Sequence, residues 1–550
     1  MRCLLLMIVV AVGAASERRA VLHYSFEPAV NDGKLALHTV LEFQGGATDA
    51  ANLVLPSSWG SATHLEKGIA NLKSVAQAGH VRVSYDLVRD WEVPPPRADH
   101  HAILEPEYFE FTTQNGLVHP LLERSAPVEV NFDWRKLPAG WSLATSFGTG
   151  ERVQRFRGSW SEVHNALFAG GDLRIRRKNI DGRPLILAIR GKWQLSDEEM
   201  ALRIEKLISF ERRFWHDTNF PYYLVTVSTF GRDDGGSGGS GFTNAFALFL
   251  SRKSTLAYGE QSLLAHEIFH TWNPYRMGAL PDSSIVTSWF TEGFTTYYQD
   301  LLLLRAGLLA FPDYVERTNE VLRKYLLSPA KNVSNQEIIE RHRADAAMDD
   351  LPYARGAITA LWLDWKIRET THAKASLDTL LFELVRQARR ERPALTAERI
   401  FRTAGKYIDP AAVQEFREYV EAGKTVPVPA AALGTCVTLR MEEIPRFELG
   451  MDRESLVAGR VVSQIKPDSA AFLAGLRDGQ QVAGISVYWN DVSKPVKVTI
   501  RTESGNKSIE YYPLGDAIGT VPQYRLGNSR CVENTRGGVT TYPFQVQHLN

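Results

Sequence analysis

The stretch Leu264-Ala265-His266-Glu267-Ile268-Phe269-His270-Thr271-Trp272-Asn273 decides how this chain is read. It holds an H-E-x-x-H pattern inside a segment of helical periodicity. Residues four apart share one face of an α-helix, so His266 and His270 can reach a single metal ion. Imidazole nitrogens suit Zn²⁺ at about 2.0–2.1 Å. Glu267 stands beside them on the rim, placed to take a proton from a water at the metal without itself being a ligand. Zinc lowers the pKa of such a water to about 7, and a neighbouring carboxylate completes its activation.

Two histidines on one helix face also occur by chance, so a third ligand decides. A second helix is expected from about Ser288, through Trp289-Phe290-Thr291-Glu292-Gly293-Phe294-Thr295-Thr296-Tyr297-Tyr298. Glu292 sits there among aromatic and small residues, an odd setting for a solvated carboxylate. On a helix antiparallel to the first it supplies the third protein ligand and leaves a fourth position for water, the arrangement of catalytic rather than structural zinc.

H-E-x-x-H-T-W-N followed by W-F-T-E-G-F resembles the glycyl aminopeptidase family of zinc metallopeptidases, a thermolysin-like group whose third ligand is a glutamate. The resemblance implies peptide-bond hydrolysis, with aminopeptidase action on small amino-terminal residues. It extends to Leu351-Pro352-Tyr353-Ala354-Arg355-Gly356-Ala357, which is similar to the family's Y-x-K/R-G motif. By that likeness Tyr353 donates to the oxyanion formed when water attacks the amide, and a pre-aimed donor stabilises such charge. Asn273 and Arg276, which follow the histidine helix, either bind the substrate or cap that helix, and Arg355 is expected near the substrate. The spacing from His270 to Glu292 is a little longer than usual for thermolysin-like enzymes.

The chain departs from the family just before the histidines. Such aminopeptidases carry a G-G-L-E-like segment whose glutamate pairs with the substrate's α-amino group. Here the segment reads Gly238-Gly239-Ser240-Gly241-Phe242-Thr243-Asn244-Ala245, with Gly241 at the glutamate's place. An ammonium leaving water needs a charge partner. Either Asp233 or Asp234 supplies it, or the enzyme cleaves peptides without reading the free amine, as an endopeptidase. Gly241 and Phe242 are taken as substrate-side residues, and Phe246–Leu250 as the edge strand that pairs with an extended peptide.

Around this centre the fold reads as multidomain α+β. Residues 17–190 carry short strand-like runs (Val21–Phe26, Ala36–Phe43, Val81–Leu87, Val128–Phe132, Leu185–Arg190) and form an amino-terminal β domain. Residues 191–425 form the mostly helical, thermolysin-like catalytic domain, opened by a capping box at Ser196-Asp197-Glu198-Glu199. Val426–Ala432 reads as a linker. Residues 433–513 resemble a PDZ domain, through Phe447–Met451 and the segment Ile465–Gly479. Too few residues lie between Val487 and Val498 for the second helix of a peptide groove, which favours a structural domain over a receptor. Residues 514–550 read as a loop-like tail. The competing reading from another class is a catalytically weak binding protein that keeps the helix pair as a relic; Glu267 argues against it, since a structural site needs no base.

The 550 residues balance 63 Lys+Arg against 63 Asp+Glu, so no large basic surface for nucleic acid is indicated. Residues 1–16 have the design of a secretory signal peptide: Arg2, a short apolar run, then small residues ahead of Glu17. No later segment is apolar for long enough to span a bilayer. A secreted or periplasmic location follows, in which Cys436 and Cys531 either pair as a disulfide or stay as two unpaired buried thiols.

Overall fold

The computed structural model describes residues 19–60, 62–92, 100–217, 222–229, 237–281, 283–341, 346–391, 393–456, 461–488 and 491–527. The leader-like residues, Asp233, Asp234 and Cys531 lie outside them. The chain divides into two compact units, Met1–Ile175 and Arg176–Asn550.

The first unit is built of β-sheet. A six-stranded sheet runs in the order Val153–Ser159, Pro127–Asp133, Ala20–Asn31, Lys34–Gln44, His80–Leu87, Ile69–Gln77. His80–Leu87 explains why: Val81, Val83, Tyr85 and Leu87 are buried while the intervening residues are more open, the alternation of a strand with one face on a core. A five-stranded sheet (Gly148–Thr149, Ser142–Thr145, Leu167–Gly171, Tyr108–Thr112, Ile103–Glu105) is the unit's second large sheet. Phe26, Phe109 and Trp134 stack in the shared core.

His119 is buried in this unit against Trp160, with Nδ1 2.8 Å from the Pro120 carbonyl. Burial lowers its pKa from 6.5 to about 4, and Arg124 adds to the effect. Between those values the unfolded chain binds a proton that the folded chain refuses. Stability therefore falls as pH drops from 6.5 towards 4, by at most about 3 kcal/mol. Urea unfolding of the full chain across that range should show this slope, and His119→Gln should remove it.

The second unit begins with a five-stranded sheet ordered Arg174–Ile180, Arg183–Ile189, Tyr223–Thr229, Ala245–Leu250, Ser237–Gly241. The run expected as Leu185–Arg190 in the first domain thus lies in this sheet, in parallel register with Tyr223–Thr229. The helix Asp197–Phe214 makes the crossover between them, as parallel pairing requires. Its start is the predicted capping box: Ser196 Oγ accepts from the Glu199 amide at 3.2 Å, and Glu199 Oε2 accepts from the Ser196 amide at 2.9 Å. Met200, Ile204, Leu207 and Ile208 bury its inner face.

The edge-strand expectation is corrected here. Ala245–Leu250 is interior, parallel to Tyr223–Thr229 on one side and antiparallel to Ser237–Gly241 on the other. All six of its residues are buried. The glycine-rich segment is the outer strand. Helices follow up to Val420, and their apolar faces join the sheet in one core.

The linker and tail expectations change as well. Val426, Ala432 and Leu433 are buried, and the Val426 amide donates to Tyr325 Oη at 3.0 Å, so this segment is packed. Leu514–Leu526 is a strand antiparallel to Val437–Phe447. The Tyr524 backbone is clamped by Asn319, which accepts from its amide at 2.7 Å and donates to its carbonyl at 2.9 Å. Between these strands lies a three-stranded sheet, Val482–Ser486, Val496–Thr502 and Gly505–Tyr511, with its own small core. Cys436 is disulfide-bonded.

Candidate active site

The histidine helix, Tyr258–Phe269, opens without a capping side chain at Ala257, and Glu260 accepts the Ala257 amide instead, at 2.7 Å. His266 lies in its last turn and His270 caps it. Across from them Ser288–Thr291 forms one helical turn, Glu292 the junction, and Gly293–Arg305 the glutamate helix. Glu292 Oε2 lies 3.2 Å from His266 Nε2 and 3.3 Å from His270 Nε2. Among the described residues this trio is the one cluster with metal-ligand character, its ligand atoms all within 4.8 Å of one another.

Both imidazoles are oriented from behind. His266 Nδ1 donates to Gln299 Oε1 at 2.9 Å, and Gln299 Nε2 donates to Ser262 Oγ at 2.9 Å. His270 Nδ1 donates to the Asn273 carbonyl at 2.8 Å. With Nδ1 bonded to these acceptors, each ring turns its Nε2 towards Glu292, the nitrogen a metal site would use. Burial would raise the Glu292 pKa, but His270 and the two imidazole hydrogen bonds hold it well below the usual carboxylate range.

Asn273 is buried and links the two ligand helices. Its Nδ2 donates to the carbonyls of Phe290 and Thr291 and to Thr295 Oγ1, at 3.2–3.4 Å. The Arg276 guanidinium turns onto buried Asp217 at 2.9 Å, where Trp272 Nε1 also donates. Arg355 is 1% exposed and donates to the Val333 carbonyl. Phe242 is buried, and its amide donates to the Ala245 carbonyl at 2.8 Å. These four were candidates to face substrate. The contacts named here turn each of them into the protein, while Asn273 Oδ1 and Arg355 Nε and Nη2 are buried without a hydrogen-bond partner.

Glu267 and Gly241 do meet. The Gly241 amide donates to Glu267 Oε2 at 2.8 Å. Burial raises the Glu267 pKa, opposed by the two imidazoles and by this amide. A Cβ at Gly241 would stand 2.4 Å from the Glu267 carbonyl oxygen and 3.2 Å from His270 Cβ, so only glycine fits. Tyr353, on the tyrosine helix Ala346–Thr370, is 41% exposed and stacks on His266, ring centroids 6.1 Å apart at 21°. The sequence reading missed Gln299 and the clamp made by Asn273. Gln299 lies seven residues after Glu292, on the same helix face, which was the available signal.

Residues 260–376 match the model of the M61 glycyl aminopeptidase family. No curated protein matches the chain. Among solved structures, the chain is similar to an aminopeptidase N family protein from Idiomarina loihiensis, at 17% identity over 94% of this chain and 100% of that one, with a TM-score of 0.67. This likeness shows a common fold. An M1 zinc metallopeptidase from Deinococcus radiodurans matches at 16% identity over 75% of this chain and 95% of that one, with a TM-score of 0.46. The matched segment contains both histidines, the junction glutamate and Tyr353, and through it the chain is similar to the M61 glycyl aminopeptidase family of metallopeptidases.

Proposed function

We propose that the chain is a zinc peptidase in which His266, His270 and Glu292 hold the metal, Glu267 is general base and then acid, and Tyr353 donates to the oxyanion. The observation that carries this is the ligand spacing. Ligands about 2.0–2.1 Å from a tetrahedral centre stand about 3.3 Å from one another, and Glu292 Oε2 lies 3.2 and 3.3 Å from the two Nε2 atoms. Two nitrogens and a carboxylate oxygen are also the donor set of catalytic zinc. When bound, the metal supplies Lewis acidity that polarises a carbonyl and makes water a nucleophile near neutral pH. Glu267, held by the Gly241 amide, receives the proton and returns it to the leaving amine. Dialysis against a chelator should abolish peptide hydrolysis, and one equivalent of Zn²⁺ should restore it; full activity after complete metal removal would refute the assignment.

Gln299 keeps His266 aimed at the ligand cluster. Its replacement by leucine, of similar size, should weaken zinc affinity by about 10–100-fold. Competition with a chromophoric chelator measures this directly.

The family resemblance implies removal of small amino-terminal residues. Gly241 favours a second reading, cleavage without recognition of the free amine. The outer strand Ser237–Gly241 carries no acidic side chain, and the contact of Gly241 with the Glu267 carbonyl excludes one at the family's position. Peptides with free and acetylated amino termini should then be cleaved with kcat/KM values within about tenfold of each other, whereas a buried ammonium–carboxylate contact is worth more than that. Strong preference for the free amine restores the trimming reading. The carboxy-terminal β region serves as support in this proposal. Between Ser486 and Val496 the described residues hold no helix to wall a peptide groove, and the Leu449 carbonyl of the loop likened to a PDZ carboxylate site accepts from Tyr511 Oη at 2.6 Å. A secreted or periplasmic location is in keeping with the leader-like amino terminus and with the disulfide at Cys436.

A further inference from the structure

The tyrosine helix reaches the site through a backbone crossing with no side chain in it. A Cβ built on Gly293 would stand 2.4 Å from the Gly356 Cα and 2.7 Å from the Pro352 carbonyl oxygen. One built on Gly356 would stand 2.1 Å from the Trp289 carbonyl oxygen and 2.7 Å from the Gly293 Cα. The neighbours in both cases are backbone, which cannot swing away as a side chain can. Gly293 directly follows the ligand Glu292. Gly356 lies one turn beyond Tyr353, and Arg355 ties the same turn to the Val333 carbonyl. The contact that brings the two helices together therefore lies one residue past Glu292 and one turn past Tyr353.

We propose that Gly356 is a positioning residue for the reaction: its missing side chain lets the tyrosine helix approach the glutamate junction closely enough to place the Tyr353 hydroxyl over the ligand cluster. This rests on the role proposed for Tyr353. A methyl at 356 must part the helices by about 1 Å, a displacement that can cost about 100-fold at a catalytic group. The ligand atoms lie on the histidine helix and the glutamate junction, and the tyrosine helix, which carries none of them, is the element expected to yield, so that zinc is retained.

The test is a double-mutant cycle on the full-length zinc enzyme with Gly356→Ala and Tyr353→Phe. Expected are a fall of about 100-fold in kcat for Gly356→Ala, KM within about twofold, an unchanged zinc content, and no further loss when Gly356→Ala is added to Tyr353→Phe. An unchanged kcat in Gly356→Ala overturns the proposal. So does an equal loss in both backgrounds, which would mean that Gly356 acts elsewhere. If Tyr353→Phe alone is silent, the role of Tyr353 falls, and the proposal with it. Should Gly356→Ala not fold, Gly293→Ala loads the same crossing and takes its place in the cycle; failure of both to fold assigns the pair to packing and overturns positioning.

Discussion

Glu267→Gln should keep its zinc and lose about 10²–10⁴-fold in kcat, the range a positioned general base contributes. The substitution is nearly isosteric. The amide oxygen of glutamine can still accept the Gly241 N–H that now reaches Glu267 Oε2 at 2.8 Å. None of the atoms of His266, His270 and Glu292 that face one another is touched. What disappears is the capacity to hold a proton. Burial pushes the Glu267 carboxyl up while the two imidazoles pull it back, a balance suited to a group that takes a proton and then returns it. A relic site that only binds would not distinguish Glu from Gln. Steady-state kinetics on one peptide, with metal content measured on the same samples, checks the result. Undiminished turnover at full zinc occupancy would exclude Glu267 as the general base, whereas absence of turnover in the unaltered protein would revive the reading of a binding protein with a vestigial helix pair.

The parts of this site that could be read from sequence are those set by one element's own period. His266 and His270 share a face because helices repeat every 3.6 residues, and the Ser196–Glu199 box is local for the same reason. Glu292 was placed as third ligand by its odd surroundings and by family likeness, because no rule of spacing links residues on two separate helices. Asn273 reads equally as a substrate contact or a helix cap, since a polar residue after a catalytic helix gives no sign of whether it faces the cleft or the next helix. The fold turns it inward, onto Phe290, Thr291 and Thr295. The misplaced edge strand had a legible warning: Phe246–Leu250 is a continuous apolar run, the pattern of a strand buried on both faces. Leu514–Leu526 was hidden by Gly515, Gly519 and Pro522, which suit an outer strand of a two-stranded ribbon as well as a loop. The Gly293–Gly356 crossing left no trace in either helix alone.

Tyr353→Phe separates chemistry from packing most cleanly. The ring stays, so its stack on His266 at 6.1 Å persists, and a side chain already 41% exposed adds little to the core. Only the hydroxyl is removed. If Tyr353 were a helix-start aromatic, phenylalanine would serve as well and the enzyme would be unchanged. As an oxyanion donor its loss should cost about 3–4 kcal/mol of transition-state stabilisation, or about 10²–10³-fold in kcat. Because the charge it meets develops only as the amide is attacked, kcat and kcat/KM should fall together while KM stays put. A rise in KM at constant kcat would mean instead that the hydroxyl holds the ground-state peptide. Zinc affinity should be unaltered in either case, since the ligand trio lies on other helices. A variant that loses metal along with activity would show that the hydroxyl supports the ligand cluster, and the oxyanion would then need another donor.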